Sequence, residues 1–326
     1  MSSRREVKFA VLLSAFSSAA ERFLSSGYKG ELSLEEQLEK VANIKEISGI
    51  ELDYPSDFSD AKYLKSLVNK FDLSVALIEV DLFGDPKWKY GSISSRNEKL
   101  RAESVELCKQ GMDVAVELGC NQITLWPAQD GFDYPMQTDY QASWRNTRAS
   151  LEEIVAYRED VKVCIEYKIK EPRTHMQLGT VGKVLSLVNA IGAKNLGVLV
   201  DLGHSLIAYE NPAESAVLLN EYNRLFYVHF NDNFRLWDDD LVPGTVHLWE
   251  TVEFLYWLNR IGYKEWYSLD IFPYREDSEA ACRQSIRNLM SLMSVAEKLD
   301  EEKLRHLQHN NDAMGMSELL RQTLFD

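Results

Sequence analysis

The feature that most constrains this chain is a rhythm in its hydrophobicity. Eight short runs rich in Val, Ile, Leu and aromatic residues fall at 9–13, 49–52, 73–80, 122–126, 161–167, 196–202, 225–230 and 266–271. Between them lie longer stretches with apolar residues at i, i+3 and i+4, the helical spacing. One opens at Ser33 with Glu35 and Glu36 in its first turn, a capped helix start. Others span 98–118, 150–157, 181–191, 212–219, 247–261 and 277–299. Eight strands, each followed by a helix, predict an α/β protein with a parallel sheet, and its closed form is the (β/α)8 TIM barrel. The competing architecture is an open doubly wound sheet. No GxGxxG follows the first run, so nucleotide binding on such a sheet has no support. No Pro/Gly/Ser linker divides the 326 residues. The expected division is a barrel over 1–298 and a C-terminal helical extension over 299–326, where His306 and His309 read as surface residues.

Charge narrows the partners. The formal net charge is −15, which argues against nucleic acid, because phosphate binding needs a basic surface. An excess of carboxylates suits a hard divalent cation. Cys108, Cys120, Cys164 and Cys282 show no CxxC spacing, so thiolate zinc and redox chemistry are weakly supported. The opening MSSRREVKFAVLLSAFSS resembles a leader superficially. Lys8 and Ser14 break its apolar stretch, and Glu21 and Arg22 follow where a cleavage site would stand. It reads as the first strand of a cytoplasmic protein. No segment approaches the roughly 20 apolar residues of a membrane span.

In a barrel of this kind, reactive residues sit at the carboxyl ends of strands. The fifth run ends in Glu166-Tyr167-Lys168, the sixth in Asp201-Leu202-Gly203-His204, the seventh in His229-Phe230-Asn231-Asp232 and the eighth in Leu269-Asp270. Any one of these could simply cap the next helix. Four ionisable residues in succession are harder to explain so. Buried carboxylates cost several kcal/mol per charge without a compensating cation. Three carboxylates and one imidazole suit Mn2+, Mg2+ or Co2+ better than a thiolate zinc site. Lys168 shares the strand face of Glu166. After the seventh run come Asp238, Asp239 and Asp240. Asp238 and Asp240 could point the same way and bind a second ion with His204, or all three could line a solvated loop; Asp232 is a lesser ligand candidate. Trp126, beside Asp130 in the loop after the fourth run, offers a platform for the CH face of a sugar, although it could equally be core. Arg173 and His175 could reach substrate or be structural. Glu51, Trp88 and Tyr90 are lesser candidates.

The set Glu-x-Lys, Asp-x-x-His, His, Asp-x-Asp and Asp resembles the xylose isomerase-like superfamily of TIM barrels, and within it L-rhamnose isomerase and related aldose–ketose isomerases. The resemblance covers residues from about 120 to 275 at the level of motifs. It implies that Glu166, Asp201, His229 and Asp270 hold a structural divalent ion. It implies a catalytic ion on His204, Asp238 and Asp240, and places Lys168 near the reacting carbons. The loop from Trp126 to Tyr134 looks like the rhamnose isomerase loop with its Trp and Asp-Gly. The chain is shorter than those isomerases, and the first three strands offer no obvious match to their pocket. Rhamnose, apiose or a similar small unphosphorylated sugar is the implied substrate, and a homo-oligomer the implied assembly. A ketose 3-epimerase on the same scaffold is the first rival, although the eighth strand offers Asp270 where epimerases use a glutamate. A carbon–glycoside lyase with a small partner subunit is another. A phosphodiesterase resembling endonuclease IV would need more than six histidines and a basic groove. A metal-free binding protein would leave its strand-end carboxylates uncompensated.

Overall fold

The computed structural model describes residues 7–20 and 22–325. The first six residues, with the two arginines of the opening segment, lie outside the described residues, as do Glu21 and Asp326. The strands are β1 (Phe9–Leu12), β2 (Ile47–Tyr54), β3 (Ser74–Val80), β4 (Gln122–Leu125), β5 (Gly131–Phe132), β6 (Lys162–Glu166), β7 (Lys170–Glu171), β8 (Thr174–Met176), β9 (Leu196–Asp201), β10 (Leu225–Phe230) and β11 (Tyr267–Leu269). Eight of them close in the order β1-β11-β10-β9-β6-β4-β3-β2. Every pairing around this ring is parallel. The chain is therefore a closed (β/α)8 barrel, and the open-sheet alternative is excluded. The remaining strands, β5, β8 and β7, form a small antiparallel sheet. It lies in the loops after β4 and β6.

The helices are α1 (Leu34–Ala42), α2 (Ala61–Lys70), α3 (Glu98–Leu118), α4 (Tyr140–Tyr157), α5 (Val181–Ile191), α6 (Leu202–Ile207), α7 (Pro212–Glu221), α8 (Leu248–Arg260), α9 (Ser278–Glu297), α10 (Glu301–His309) and α11 (Ala313–Phe325). Ser33 caps α1 reciprocally with Glu36, satisfying two end groups that the helix itself cannot. Asn97 caps α3, which stops at Gly119 in the left-handed region, φ +85°. Helix α4 begins at Tyr140 rather than 150, because the Asp139 carboxylate accepts from Ala142 N and starts it earlier. Helix α6 leaves no loop after β9, since the Asp201 side chain caps it directly.

Alternation along the strands sorts their side chains between the barrel interior and the helical jacket. Leu77, Cys164, Leu199, Phe226 and Tyr227 pack inside as a separate apolar cluster. Glu51 is fully buried and reaches Tyr227 and His229 across the interior. Asp53, Glu79, Glu166 and Asp201 stand two residues beyond Glu51, Leu77, Cys164 and Leu199, so they continue the interior face towards the carboxyl ends. That end of the barrel is the charged one. Helices α10 and α11 follow the barrel; Leu304, Leu307 and Leu319 bury their side chains there. No described helix is long and apolar enough to cross a membrane.

Candidate metal centre and its surroundings

Glu166, Asp201, His229 and Asp270 come from β6, β9, β10 and the end of β11. One potential ligand atom from each lies within 4.8 Å of all the others. All four residues are buried. His229 Nδ1 stands 3.5 Å from Glu166 Oε1, 3.5 Å from Asp270 Oδ2 and 3.9 Å from Asp201 Oδ2. Glu166 Oε1, His229 Nδ1 and Asp270 Oδ1 are buried and have no hydrogen-bond partner. Orphaned acceptors of this kind are costly unless something else satisfies them. Three carboxylates and one imidazole, three of the four with an unpartnered buried atom, fit a divalent cation such as Mn2+, Mg2+ or Co2+.

Neighbouring residues aim these groups. Glu51 Oε2 lies 2.9 Å from His229 Nε2, and Glu51 Oε1 accepts from Tyr227 OH at 2.8 Å. This pairing puts a proton on Nε2 and turns Nδ1 towards the cluster. Asn231 donates to Asp201 Oδ2 at 2.8 Å, while Asp201 Oδ1 accepts from His204 N at 2.7 Å. Asp201 therefore caps a helix and faces the cluster at once. Gly203 permits this, because a Cβ there would sit 2.0 Å from Asn231 Oδ1. Sequence reasoning ranked Glu51 low and did not name Asn231 as a support, since neither belongs to a spaced motif.

The local charges follow from this crowding. Burial raises the Glu166 carboxyl, but His229 and His204 outweigh it and bring it down to about 2. Burial and the carboxylates of Asp270, Glu166 and Asp238 push Asp201 up to about 7 against the pull of His204. For His229, burial works downward, and Glu51 and Glu166 more than reverse it.

A second group adjoins the first. His204 Nδ1 is 3.2 Å from Glu166 Oε1, and its Nε2 is 3.1 Å from Asp238 Oδ2. Asp238 Oδ2 is also 2.7 Å from Lys168 Nζ. Lys168 is 3% exposed, is hydrogen-bonded to Glu171, and stands 4.9 Å above the Trp126 ring. Burial would lower its pKa, but Asp238 and Glu171 hold it well above the ordinary lysine value. Lys168 is thus a fixed cation.

Asp238 and Asp240 do not share a direction. Asp240 takes a left-handed backbone, φ +47°, and turns to Arg22, whose Nη2 donates to its Oδ2 at 2.7 Å. Arg22 lies 3.6 Å above the Phe272 ring. Of the expected second-ion trio, Asp238 and Asp240 are therefore held by two cations of the chain itself, Lys168 and Arg22, and His204 lies between Glu166 and Asp238. Among the described residues only the first cluster converges as metal ligands. Arg22 carried no sequence signal, since it follows β1 in an irregular segment. Asp239 accepts from Phe234 N and shapes the loop. Asp232 fastens the same loop to His247.

The remaining expected contacts fare differently. Trp126 is partly exposed beside Lys168, with Phe83 edge-on at 4.8 Å, and its Nε1 has no partner. Asp130 is 2% exposed and accepts from Ser92 N and Oγ and from Ser94 N. Its carboxylate anchors the loop before α3, which corrects the expectation of a sugar contact. Arg173 pairs with Asp133 at 3.0 Å, and His175 is exposed and stacked on Phe132. Both belong to the small β5-β8-β7 sheet and not to the buried cluster. Trp88 is core, and Tyr90 is exposed.

A family model described as xylose isomerase-like TIM barrel matches residues 38–292. Xylose isomerase of Thermus thermophilus is 25% identical over 248 residues, covering 73% of this chain and 64% of that protein. A probable sugar isomerase of Mesorhizobium japonicum is 27% identical over 211 residues, covering 60% of this chain and 46% of that protein. The chain thus spans less than two thirds of these curated relatives' length. Among solved structures, a D-tagatose 3-epimerase-like protein superposes at a TM-score of 0.67 and 24% identity, over 88% of this chain and 98% of that one. L-ribulose 3-epimerase superposes at 0.70 and 18% identity, over 94% and 98%. At these identities the superpositions show a shared fold.

Proposed function

Because this chain belongs to the xylose isomerase-like TIM barrel family, we propose that it is a divalent-metal-dependent isomerase that interconverts an unphosphorylated aldose and its ketose. A rhamnose-like, apiose-like or similar small sugar is the substrate class. The observation that carries this reading is the Lys168–Asp238–His204 array set against the four-residue cluster.

Glu166, Asp201, His229 and Asp270 would hold a divalent cation, Mn2+ in the first instance, which would supply Lewis acidity for a carbonyl and a hydroxyl. The chain's own groups do the rest. Lys168 donates to the sugar oxygen on which charge develops; its surroundings keep it protonated. Asp238, bonded to both Lys168 and His204 and held by them far below the ordinary carboxylate range, stays ionised and fixes both groups in place. Trp126 presents its ring to the CH face of the sugar and its unpaired Nε1 to a hydroxyl. Lys168 and Arg22 are already committed to carboxylates, which supports an unphosphorylated substrate. The four cysteines are unpaired and buried, which supports a reducing, cytoplasmic setting. Phe234, Leu236 and Trp237 are exposed next to Asp238 and support a homo-oligomer.

Ketose 3-epimerisation is the second reading. It is favoured by the single convergent ligand set, since a one-ion site leaves the isomerase's second ion without a place. The shorter Asp270 and the buried Lys168 weigh against it. The test is turnover of four- to six-carbon aldoses and ketoses by protein stripped of metal and reloaded with Mn2+, Co2+ or Mg2+, followed by NMR. Metal-dependent aldose–ketose exchange, reduced about 10²–10³-fold in Lys168→Met, is the expected result. Inversion at C3 of a ketose, with Lys168→Met still active, would select the epimerase.

A further inference from the structure

A cavity of about 410 Å³ opens between the loop that follows β3 and the loop that follows β4. That volume suits a small organic molecule. One buried carboxylate holds its walls together. Asp130, from the β4 loop, accepts from Ser92 N and Oγ and from Ser94 N, all in the β3 loop. Asn146 of α4 adds bonds to the carbonyls of Ser94 and Ser95. None of the lining residues belongs to the metal cluster or to the Lys168–Asp238–His204 array. The proposed reaction leaves the cavity unused.

The fold uses the amide and carboxylate oxygens of this lining and leaves its donors. Asn97 Oδ1 accepts from Lys99 N and Leu100 N as the cap of α3, which leaves its amino group. Gln137 Oε1 accepts from Asp133 N and Tyr134 N, which leaves its amino group likewise. Asp133, the carboxylate of the lining, is taken by Arg173 and Thr174. Of the three cations, Lys87 pairs with Glu103 at 2.7 Å. Lys89 and Arg96 make no ion pair among the described residues. Lys89 Nζ stands 5.3 Å above the Tyr90 ring, and Arg96 acts at longer range on Asp139. Both are exposed, so a ligand arriving from solvent meets them. Behind the wall, Gln177 Oε1 accepts from the lining Ser143 and from Thr147, while its buried Nε2 has no partner. The groups left over are therefore donors, two of them positive, in a chain of net charge −15. Such a lining fits an oxyanion, whose oxygens accept charge-assisted bonds.

We propose that this cavity is a binding site for a small phosphate ester. The phosphate is held by Lys89, Arg96 and the amino groups of Asn97 and Gln137. A phosphate offers these four groups three oxygens, where a carboxylate offers two. The exposed Tyr90 ring and the half-buried Phe132 ring line the same cavity and give the carbon part of the ligand a surface to pack on. The ligand is one that the proposed reaction does not consume, because the cavity holds none of the groups assigned to the sugar chemistry. Binding there needs no divalent cation.

The experiment is calorimetric titration of full-length, metal-stripped protein with glycerol 3-phosphate, at low ionic strength because salt screens exposed charges. Stripping the metal keeps the cluster from holding the phosphate. Inorganic phosphate and citrate are titrated beside it. The expected result is one glycerol 3-phosphate per chain, bound more tightly than inorganic phosphate and than citrate. Asn97→Asp keeps a good cap on α3 and puts a carboxylate oxygen where the amino group was. Gln137→Glu makes the same exchange in the β4 loop. Each should weaken binding at least about 10-fold, as should Lys89→Ala combined with Arg96→Ala, with melting temperature retained. The wild-type result decides even where a variant fails to fold. Absence of binding by the ester overturns the proposal. Inorganic phosphate or citrate bound as tightly as the ester would mean that exposed cations merely gather anions, and overturns it too. So does an affinity that survives in all the folded variants. The titration involves neither metal nor turnover, so its failure leaves the isomerase reading intact, and that reading can fail in its own sugar assay without touching this site.

Discussion

His229 can offer only one ring nitrogen to a cation, and Glu51 decides which. With Oε2 at 2.9 Å from Nε2 and its other oxygen taken by Tyr227, Glu51 fixes the tautomer and the ring plane together. Supports of this kind typically govern 10–100-fold in metal affinity. Glu51→Gln should therefore weaken Mn2+ binding by about that factor in a calorimetric titration, while circular dichroism stays native. An unchanged dissociation constant would remove Glu51 from this role. The residue illustrates what sequence reasoning can reach. Glu166, Asp201, His229 and Asp270 stood out because each ends an apolar run, and they converge to within 4.8 Å. Glu51 and Glu79 lie within apolar runs and Asp53 just past one, so their partners across the barrel were invisible in one dimension. Arg22 was hidden differently: its contact with Asp240 spans more than two hundred positions.

The element that carries Asp238 and Asp240 is the long connection from β10 to α8, and Asp232 holds it in shape. Its Oδ2 accepts from Val246 N at 2.8 Å and His247 N at 3.0 Å, and its Oδ1 meets His247 Nδ1 at 2.8 Å. Arg235 Nε then reaches His247 Nε2 at 3.0 Å and its Nη2 reaches Glu250. An antiparallel bridge from Asp232 to Leu241 pinches the loop closed. Asp232→Ala would leave the half-buried amides of Val246 and His247 without their acceptor, at about 1–3 kcal/mol each. The expected outcome is a loss of about 3 kcal/mol in urea unfolding, with activity falling further than the folded fraction explains. An unshifted unfolding midpoint would contradict it. Strands were legible at this scale because apolar runs bounded by polar residues leave few alternatives, and β10 falls on 225–230 as expected. The small β5-β8-β7 sheet was not, since its two- and three-residue strands carry no periodicity. The shared direction expected of Asp238 and Asp240 failed for a local reason. That expectation assumes extended backbone, and Asp240 is left-handed.

At the scale of the whole molecule, the barrel gathers a set of buried carboxylates at one mouth, and its stability inherits the titration of that mouth. Asp201 is held at about 7, above its unfolded value of 3.8, first by burial and then by Asp270, Glu166 and Asp238. The folded chain thus keeps a proton that the unfolded chain releases. Where the folded state binds more protons, stability falls as pH rises. Metal-free protein should accordingly lose the Asp201 contribution between about pH 4 and 7. A cation reverses this, because it takes the place of that proton. At pH 5.5 it must first displace the proton, which weakens apparent affinity about 30-fold relative to a fully ionised site. His229, held above its ordinary value by Glu51 and Glu166, adds in the same direction, since ligation also requires its neutral form. Stabilisation by bound ligand grows with the logarithm of concentration over dissociation constant. The 30-fold difference therefore corresponds to about 2 kcal/mol. Melting the protein with and without 1 mM Mn2+, an amount set by about 1,000-fold excess over micromolar affinity, tests this directly. The upward shift in melting temperature should be clearly larger at pH 8 than at pH 5.5, and should disappear in Asp201→Asn with Asp270→Asn. Equal shifts at both pH values would mean that the cation binds without displacing protons, and that Glu166, Asp201, His229 and Asp270 are not its ligands.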